Sequence, residues 1–205
     1  GAGEAVAFIG QNGAGKSTLM NSLMGAYQPT GGKIFLNGQE VRNESPSQAV
    51  KLGIGMVHQH FMLVEAMTVF DNIILGDKHA KGLFIDRAAR RKEIEALSEK
   101  YGLRVDPDAL VSDISVGMQQ RVEILKMLYR DNEILIFDEP TAVLTPQEID
   151  ELMEIMRGFK AEGKSILFIT HKLNEIMAVA DRCTVLRKGK YIGTVDIANS
   201  SKEEL

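Results

Sequence analysis

The chain has 205 residues, 44% hydrophobic and 25% charged, which is the composition of an ordinary globular protein with a domain-sized core. It has 24 basic and 28 acidic residues, and this net charge of −4 disfavours a protein that holds nucleic acid through a basic surface. The single cysteine excludes an internal disulfide framework, and no apolar run approaches the roughly 18 residues of a membrane span, so any membrane role requires a partner chain.

Short apolar runs alternate with helical patterns near the start of the chain and again from residue 134. We predict strands over residues 5–9, 33–36, 39–41, 55–58, 134–137, 165–170, 183–186 and 191–195. We predict helices over residues 16–24, 146–159 and 171–179, and a short one between Ser45 and Gly53. Buried strands that alternate with helices are typical of a parallel sheet covered on both faces, so we expect an α/β core.

Three local signals set turns and helix starts. Asn37-Gly38 predicts a type I′ hairpin. The segment 145–148 is a capping box with proline at the first helical position, and Thr68 with Asp71 forms a weaker one. Ser45 followed by Pro46 has the same start pattern.

Helical patterns dominate the middle of the chain. One helix is predicted from Thr68 to Gly76, and longer ones over residues 87–101 and 115–130. The predicted organisation is one domain over residues 1–205, with an α/β core formed by 1–65 and 131–205 and an inserted helical subdomain over 66–130.

The turn after the first strand matches the phosphate-loop pattern G-x-x-x-x-G-K-S/T. Its residues are Gly10, Gln11, Asn12, Gly13, Ala14, Gly15, Lys16, Ser17 and Thr18. Glycines let the backbone N–H groups surround a phosphate, and the following helix adds its N-terminal dipole. In such loops the lysine reaches the β- and γ-phosphates and the serine hydroxyl binds Mg²⁺. The alternative, a glycine-rich turn that binds nothing, is disfavoured because the strand and the helix lie where the motif needs them.

Two carboxylates, Asp138 and Glu139, follow the apolar strand 134–137. Ligands of open α/β sheets bind at the carboxyl ends of the strands. We therefore expect Asp138 to hold Mg²⁺, directly or through water, and Glu139 to polarise the attacking water as a general base. Alone, the segment would be better interpreted as two solvated loop acids; the phosphate loop upstream favours the functional interpretation.

Three more segments give the chain a family resemblance. Ser115-Val-Gly-Met-Gln-Gln-Arg121 resembles the signature of ABC ATPases, Gln59 is similar to their Q-loop glutamine, and His171 looks like their switch histidine. With the loop and the acid pair, five motifs follow the family order over essentially the whole chain. The resemblance implies an α/β P-loop NTPase (RecA-like) core with a parallel sheet, an inserted α-helical subdomain and a small, incomplete antiparallel β region. It also implies Mg²⁺-dependent ATP hydrolysis.

The resemblance assigns roles to individual residues. The implied catalytic residues are Glu139, His171, Lys16 and Gln59. The implied Mg²⁺ ligands are Ser17, Gln59 and Asp138. The residues implied to face an ATP molecule held by a second domain are Ser115, Gly117 and Gln119. Because Gly117 has no side chain, it is expected to leave the backbone open near the start of the helix. Structural alternatives remain: helix capping for Ser115, a strand-end or capping histidine for His171 and an ordinary loop amide for Gln59.

The implied partners are a second ABC ATPase domain in the same or another chain, transmembrane permease subunits and an external solute-binding protein, and no nucleic acid. The chain would lie at the cytoplasmic face of the cell membrane. Thr145, where the family usually has aspartate, and the variant signature together resemble the sugar and nucleoside importers, with the nucleoside type nearest. Two alternatives stay open: an ABC ATPase that acts on DNA or the ribosome, and a catalytically weak half of a fused pair.

Compared with this family, the chain starts late and ends without a natural stop, which indicates a fragment. The aromatic residue that stacks on adenine would precede residue 1. Base–aromatic stacking contributes roughly 1–3 kcal/mol, so we expect nucleotide to bind about ten- to a hundred-fold more weakly than in the full domain.

Overall fold

The computed structural model describes residues 2–76 and 85–200, which form eight strands and seven α-helices. The strands are β1 (Ala5–Ile9), β2 (Ile34–Leu36), β3 (Gln39–Val41), β4 (Ile54–Val57), β5 (Ile134–Asp138), β6 (Ser165–Ile169), β7 (Arg182–Arg187) and β8 (Lys190–Asp196). The α-helices are α1 (Lys16–Leu23), α2 (Pro46–Lys51), α3 (Val69–Ile74), α4 (Arg87–Lys100), α5 (Val116–Tyr129), α6 (Pro146–Ala161) and α7 (Leu173–Val179).

Six strands form one sheet in the order β4-β5-β6-β1-β7-β8. The first five in this order are parallel, and β8 pairs antiparallel with β7 at one edge. Strands β2 and β3 form a separate hairpin, in which Asn37 and Gly38 have φ angles of 51° and 79°, as a type I′ turn requires. The parallel order places the carboxyl ends of β4, β5, β6 and β1 at one edge of the sheet.

Helices cover both faces of the sheet, because successive strand residues point to opposite sides. Ile136 and Ile169 pack with Met20 of α1 and Ala49 of α2 on one face. The other face packs, in a larger apolar cluster, against side chains of α3, α5, α6 and α7. The expected α/β class is confirmed, and none of the described helices is long and apolar enough to cross a membrane.

The predicted boundaries lie within two residues of the observed ones, and one of the two-residue differences concerns the last helix. Helix α7 begins at Leu173, not at His171. The Lys172 backbone N–H donates to the Thr170 hydroxyl (3.1 Å), which holds the chain in a turn before the helix begins. The prediction that His171 is helical is therefore wrong.

The division into a core and a helical subdomain stays a prediction. The described residues between β4 and β5 form helices α3, α4 and α5, and residues 77–84 of the predicted subdomain lie outside the described part of the chain. Buried side chains of these helices belong to the same apolar cluster as those of β5 and β6. The segment therefore packs directly on the sheet.

Candidate nucleotide-binding site

The phosphate-loop segment connects β1 to α1 and closes on itself. The backbone N–H of Ala14 donates to the Gln11 carbonyl at 3.0 Å. The Lys16 side chain is buried, and its ammonium donates to the carbonyl oxygens of Gly10 (2.6 Å) and Gln11 (3.3 Å). The positive charge is therefore held within the loop by the loop's own backbone.

Several loop N–H groups have no protein acceptor. Within the described residues this holds for the N–H groups of Gly13, Gly15 and Ser17, and Gly13 and Ser17 are exposed. Unpaired amides at the start of a helix form an anion-binding position, since both the N–H groups and the helix dipole favour negative charge. The loop thus fits a phosphate group.

The turn between β7 and β8 contacts the phosphate loop and supports it, and the loop motif alone does not predict this contact. Gly189 donates its N–H to the Ala14 carbonyl (3.0 Å). A Cβ atom at Gly10 would overlap the Leu186 carbonyl oxygen and come within 3.0 Å of the Ala14 Cβ. The first loop glycine is therefore needed for close packing against β7.

The loop and the acid pair meet at the carboxyl edge of the sheet. The Ser17 hydroxyl donates to Asp138 Oδ1 at 3.4 Å, although the two residues are 121 positions apart. Burial raises the pKa of the Asp138 carboxyl; the Ser17 hydrogen bond opposes this rise, and the charge of Glu139 adds to it. A poorly solvated carboxylate beside a hydroxyl is a pair of oxygen ligands suited to Mg²⁺.

Glu139 lies between residues from the two neighbouring strand ends. Gln59 follows β4, and its Nε2 donates to Glu139 Oε2 at 3.3 Å. His171 follows β6, and its Nδ1 lies 3.8 Å from Glu139 Oε1. The order β4-β5-β6 in the sheet therefore brings Gln59, Glu139 and His171 together.

The backbone of Glu139 is in the left-handed region, with φ of 46°. For a residue with a side chain this conformation costs roughly 1–2 kcal/mol. The Glu139 backbone N–H donates to the Ile169 carbonyl (3.1 Å), and the Ala142 N–H donates to the Glu139 carbonyl (3.2 Å). These bonds hold a strained turn that directs the carboxylate towards Gln59 and His171.

Two charged side chains of α5, Glu123 and Lys126, hold the segment that follows Gln59, and the sequence motifs did not predict this contact. The Met62 N–H donates to Glu123 (2.7 Å), and the Lys126 ammonium donates to the Met62 carbonyl (2.9 Å). The Glu123 side chain is buried, and burial lowers the pKa of Lys126. The signal in the sequence was the presence of two charged residues, Glu123 and Lys126, among the apolar residues of this helix.

The signature segment makes its hydrogen bonds away from the phosphate loop. Ser115 accepts the Met118 N–H (3.3 Å) as N-cap of α5, and Gln119 Nε2 donates to the Val111 carbonyl (3.3 Å). Within the described residues, no hydrogen bond or ion pair joins Ser115, Gly117 or Gln119 to the loop or the acid pair. The signature segment and the phosphate loop are therefore not joined by direct polar contacts in the described part of the chain.

The expectation that Gly117 leaves the backbone open is wrong on the side where a Cβ atom would lie. Gly117 is buried, and the Glu148 carboxylate of α6 occupies the position of the missing Cβ. Glu148 is held there because its carboxylate also completes the capping box of α6 with Thr145. Gly117 therefore permits the approach of α6 to α5 within one chain.

A phosphate loop joined by hydrogen bonding to a carboxylate on a parallel sheet defines the P-loop class of nucleotide-binding proteins. The profile of the ABC transporter family matches residues 1–142, and the chain belongs to this family.

Curated relatives resemble the chain over nearly its whole length. It is 61% identical over 203 residues to the nucleoside import ATP-binding protein NupA of Lactococcus lactis subsp. cremoris, covering 99% of this chain and 40% of that protein. It is 59% identical to the guanosine import ATP-binding protein NupO of Bacillus subtilis, with the same coverage. The chain thus spans about 40% of the length of these relatives.

Solved structures share the fold. CbiO1 of Clostridium perfringens, part of the ABC transporter complex cbiONQ, superposes with a TM-score of 0.81 at 28% identity over 96% of this chain and 78% of that one. The ATP-binding cassette MJ0796, solved as a post-hydrolysis dimer bound to ADP and Pi, gives 0.82 at 25% identity over 96% of this chain and 87% of that one.

Proposed function

We propose that the chain is the ATP-binding and ATP-hydrolysing domain of an ABC importer for nucleosides or sugars. The observation that carries this proposal is the Ser17–Asp138 hydrogen bond, which joins the phosphate loop to the acid strand end. Gln59, Glu139 and His171 lie around the same point. Phosphate-loop chemistry needs these groups in one place, because the loop binds the triphosphate while other residues act on its γ-phosphate.

In this proposal the unpaired amides of the loop bind the β-phosphate, and Lys16 exchanges its loop carbonyls for phosphate oxygens. Ser17, Asp138 and Gln59 are the residues that would hold Mg²⁺, and the ion would supply positive charge next to the phosphates. Glu139 orients and polarises the attacking water, and His171 donates a hydrogen bond to the γ-phosphate. The short separations between Gln59, Glu139 and His171 support this division of roles.

The proposal includes a second ATPase domain. Ser115 is exposed at the N-terminus of a 14-residue helix, where the amides and the dipole attract an anion. Among the described residues no hydrogen bond links Ser115 to the phosphate loop of its own chain, and in this proposal the phosphate comes from another domain. That MJ0796 was solved as a dimer with ADP and Pi supports this arrangement.

The transported solute is proposed from the relatives. NupA is named for nucleoside import and NupO for guanosine import, and a ribose import protein of Rubrobacter xylanophilus is 43% identical. We therefore place the domain on permease subunits at the cytoplasmic face of the membrane, with an external solute-binding protein that delivers a nucleoside. Competition of labelled-guanosine uptake by unlabelled nucleosides or ribose, in cells that carry the complete transporter, tests this assignment; competition by ribose alone would contradict the nucleoside preference.

Two substitutions in the complete protein test the ATPase proposal. Glu139→Gln should lower phosphate release by at least about a hundred-fold, because general-base assistance contributes that much, and should leave Mg-ATP binding intact. Lys16→Ala should lose both binding and turnover, since it removes the cation from the loop. Glu99→Gln on the exposed side of α4 is the matched control and should behave as wild type. Normal phosphate release by the Glu139→Gln protein would contradict the assigned role.

A further inference from the structure

Helix α7 contains a buried carboxylate with no role in the site described so far. The Glu175 side chain is only 4% exposed. Both of its oxygens are used: the Thr141 hydroxyl donates to Oε1 at 2.5 Å and the Thr170 hydroxyl donates to Oε2 at 2.6 Å. A buried carboxylate with two hydroxyl donors is a fixed, directional connection between the segments that carry those hydroxyls.

The two threonines belong to the two segments that carry the proposed catalytic side chains. Thr141 is two positions after Glu139, in the turn that follows β5. Thr170 directly precedes His171, at the end of β6. Glu175 therefore joins both segments through its buried carboxylate, whereas the imidazole of His171 is exposed.

Lys172 completes the network. Its ammonium donates to the Thr141 carbonyl (3.2 Å) and hydroxyl (3.1 Å), and lies 3.4 Å from Glu175 Oε1. Its backbone N–H donates to the Thr170 hydroxyl (3.1 Å). The cation lies close enough to the buried carboxylate to offset its negative charge.

Helix capping does not account for this arrangement. Glu175 is the third residue of α7, where a capping-box glutamate would accept the N–H of the N-cap residue Lys172. That N–H instead donates to Thr170, and the Glu175 oxygens are occupied by hydroxyls from other segments. The carboxylate is directed at the site-bearing turns and not at the start of its own helix.

The turn that contains Glu139 depends on hydrogen bonds to neighbouring segments, such as the one that Glu175 accepts from Thr141. Glu139 has a left-handed backbone, a conformation that persists only where surrounding contacts over-determine it. The Thr141 side chain is anchored on Glu175 two residues later, while the Glu139 N–H is anchored on β6 through Ile169. Loss of one anchor would let the turn relax and move the Glu139 carboxylate.

We propose that Glu175 is a positioning residue for ATP hydrolysis, which sets the geometry of Glu139 through Thr141 and that of His171 through Thr170. This inference rests on the proposed function of the site. Displacing a reacting group by about 1 Å can cost a hundred-fold in rate, so the effect should fall on turnover rather than on nucleotide binding.

The test uses the complete protein with three substitutions that keep side-chain volume: Glu175→Gln, Thr141→Val and Thr170→Val. Steady-state phosphate release gives kcat and KM for Mg-ATP, a fluorescent nucleotide titration gives Kd, and thermal unfolding gives Tm. Glu175→Gln should lower kcat by about ten- to a hundred-fold, with KM and Kd within about two-fold of wild type. Thr141→Ser, which keeps the hydroxyl, should retain most of the turnover that Thr141→Val loses.

A double-mutant cycle separates positioning from general loss of packing. If Thr141 acts through Glu175, then Thr141→Val added to Glu175→Gln should lower kcat little further than Glu175→Gln alone. Additive losses in kcat, accompanied by parallel losses in Kd and Tm, would overturn the proposal. The exposed Glu99→Gln variant is the control for removing a carboxylate charge.

Turnover by the wild-type protein distinguishes failure of the proposed function from failure of the positioning role of Glu175. Absence of Mg²⁺-dependent turnover in the complete wild-type transporter would remove the proposed function and this inference together. Turnover by wild type together with an unchanged kcat in Glu175→Gln would overturn the positioning role alone.

Discussion

The Glu148 carboxylate lies where a Cβ atom at position 117 would be, so helix α6 fits against helix α5 only because residue 117 is glycine. A Cβ built on Gly117 would lie 2.6 Å from Glu148 Cδ and closer still to one carboxylate oxygen. Glu148 cannot turn away without loss, because its other oxygen accepts the N–H and the hydroxyl of Thr145, each at 2.9 Å. The signature glycine and the capping box of α6 therefore depend on each other.

Gly117→Ala should therefore destabilise the protein. Overpacking of this kind costs about 1–3 kcal/mol, and each kcal/mol lowers Tm by about 2–4 °C in a protein of this size. Thermal unfolding measures the change. Gly158→Ala is the matched control, because a Cβ on Gly158 in α6 meets nothing within 4 Å and alanine favours the helix. If both variants changed Tm equally and in the same direction, the packing explanation would fail.

The first and second glycines of the phosphate loop should differ in their tolerance of a methyl group. At Gly10 the obstacle is the backbone carbonyl of Leu186, which cannot move without disturbing β7. At Gly13 the surrounding space is open and only the positive φ of 79° is unfavourable, a cost of roughly 1–2 kcal/mol. Denaturant unfolding should therefore show a clearly larger loss for Gly10→Ala than for Gly13→Ala. Equal losses would mean that β7 does not confine the loop.

Thr145 should be exchangeable for serine with little loss of stability. The Thr145 hydroxyl caps α6 by accepting the Glu148 N–H at 3.4 Å and donates to the Glu148 carboxylate at 2.9 Å, and a serine hydroxyl can do both. Thr145→Ala removes the cap and should cost about 1 kcal/mol. Urea titration of the three proteins measures these differences. The capping interpretation fails if Thr145→Ser is as unstable as Thr145→Ala.

Asp138→Asn should separate stability from metal binding. The Asp138 carboxylate is buried, with the Ser17 hydroxyl as its partner, so removing its charge should keep or raise the Tm of the nucleotide-free protein. The same change removes a proposed Mg²⁺ ligand. Mg-ATP at about 100 times its Kd should stabilise the wild type by about 2.7 kcal/mol, and the Mg²⁺-dependent part of this gain should disappear in Asp138→Asn. Melting curves with ATP, in Mg²⁺ and in EDTA, provide the comparison; a full Mg²⁺-dependent rise in the variant would exclude Asp138 as a ligand.

Patterns within a few residues determined much of the fold. The type I′ turn at Asn37-Gly38, the caps Ser45 and Thr145 and the strand Ala5–Ile9 are where local chemistry predicts them. The turn and the caps depend on backbone preferences and on hydrogen bonds within one turn, which the neighbouring residues fix, and the strand is marked by its apolar run. The phosphate loop belongs to the same group, because its glycines, its lysine and its helix start are contiguous.

Contacts between distant segments were decided only by the tertiary structure. No sequence pattern pairs Glu175 with Thr141, and Gly117 is separated from Glu148 by 31 positions. His171 was expected in a helix, and the Thr170 hydroxyl holds it outside. Such contacts depend on how the helices pack against the sheet, a sum of many weak interactions that short-range periodicity does not encode. The sequence by itself therefore determined which chemical groups the protein carries, while the packing of five parallel strands decided which of them meet.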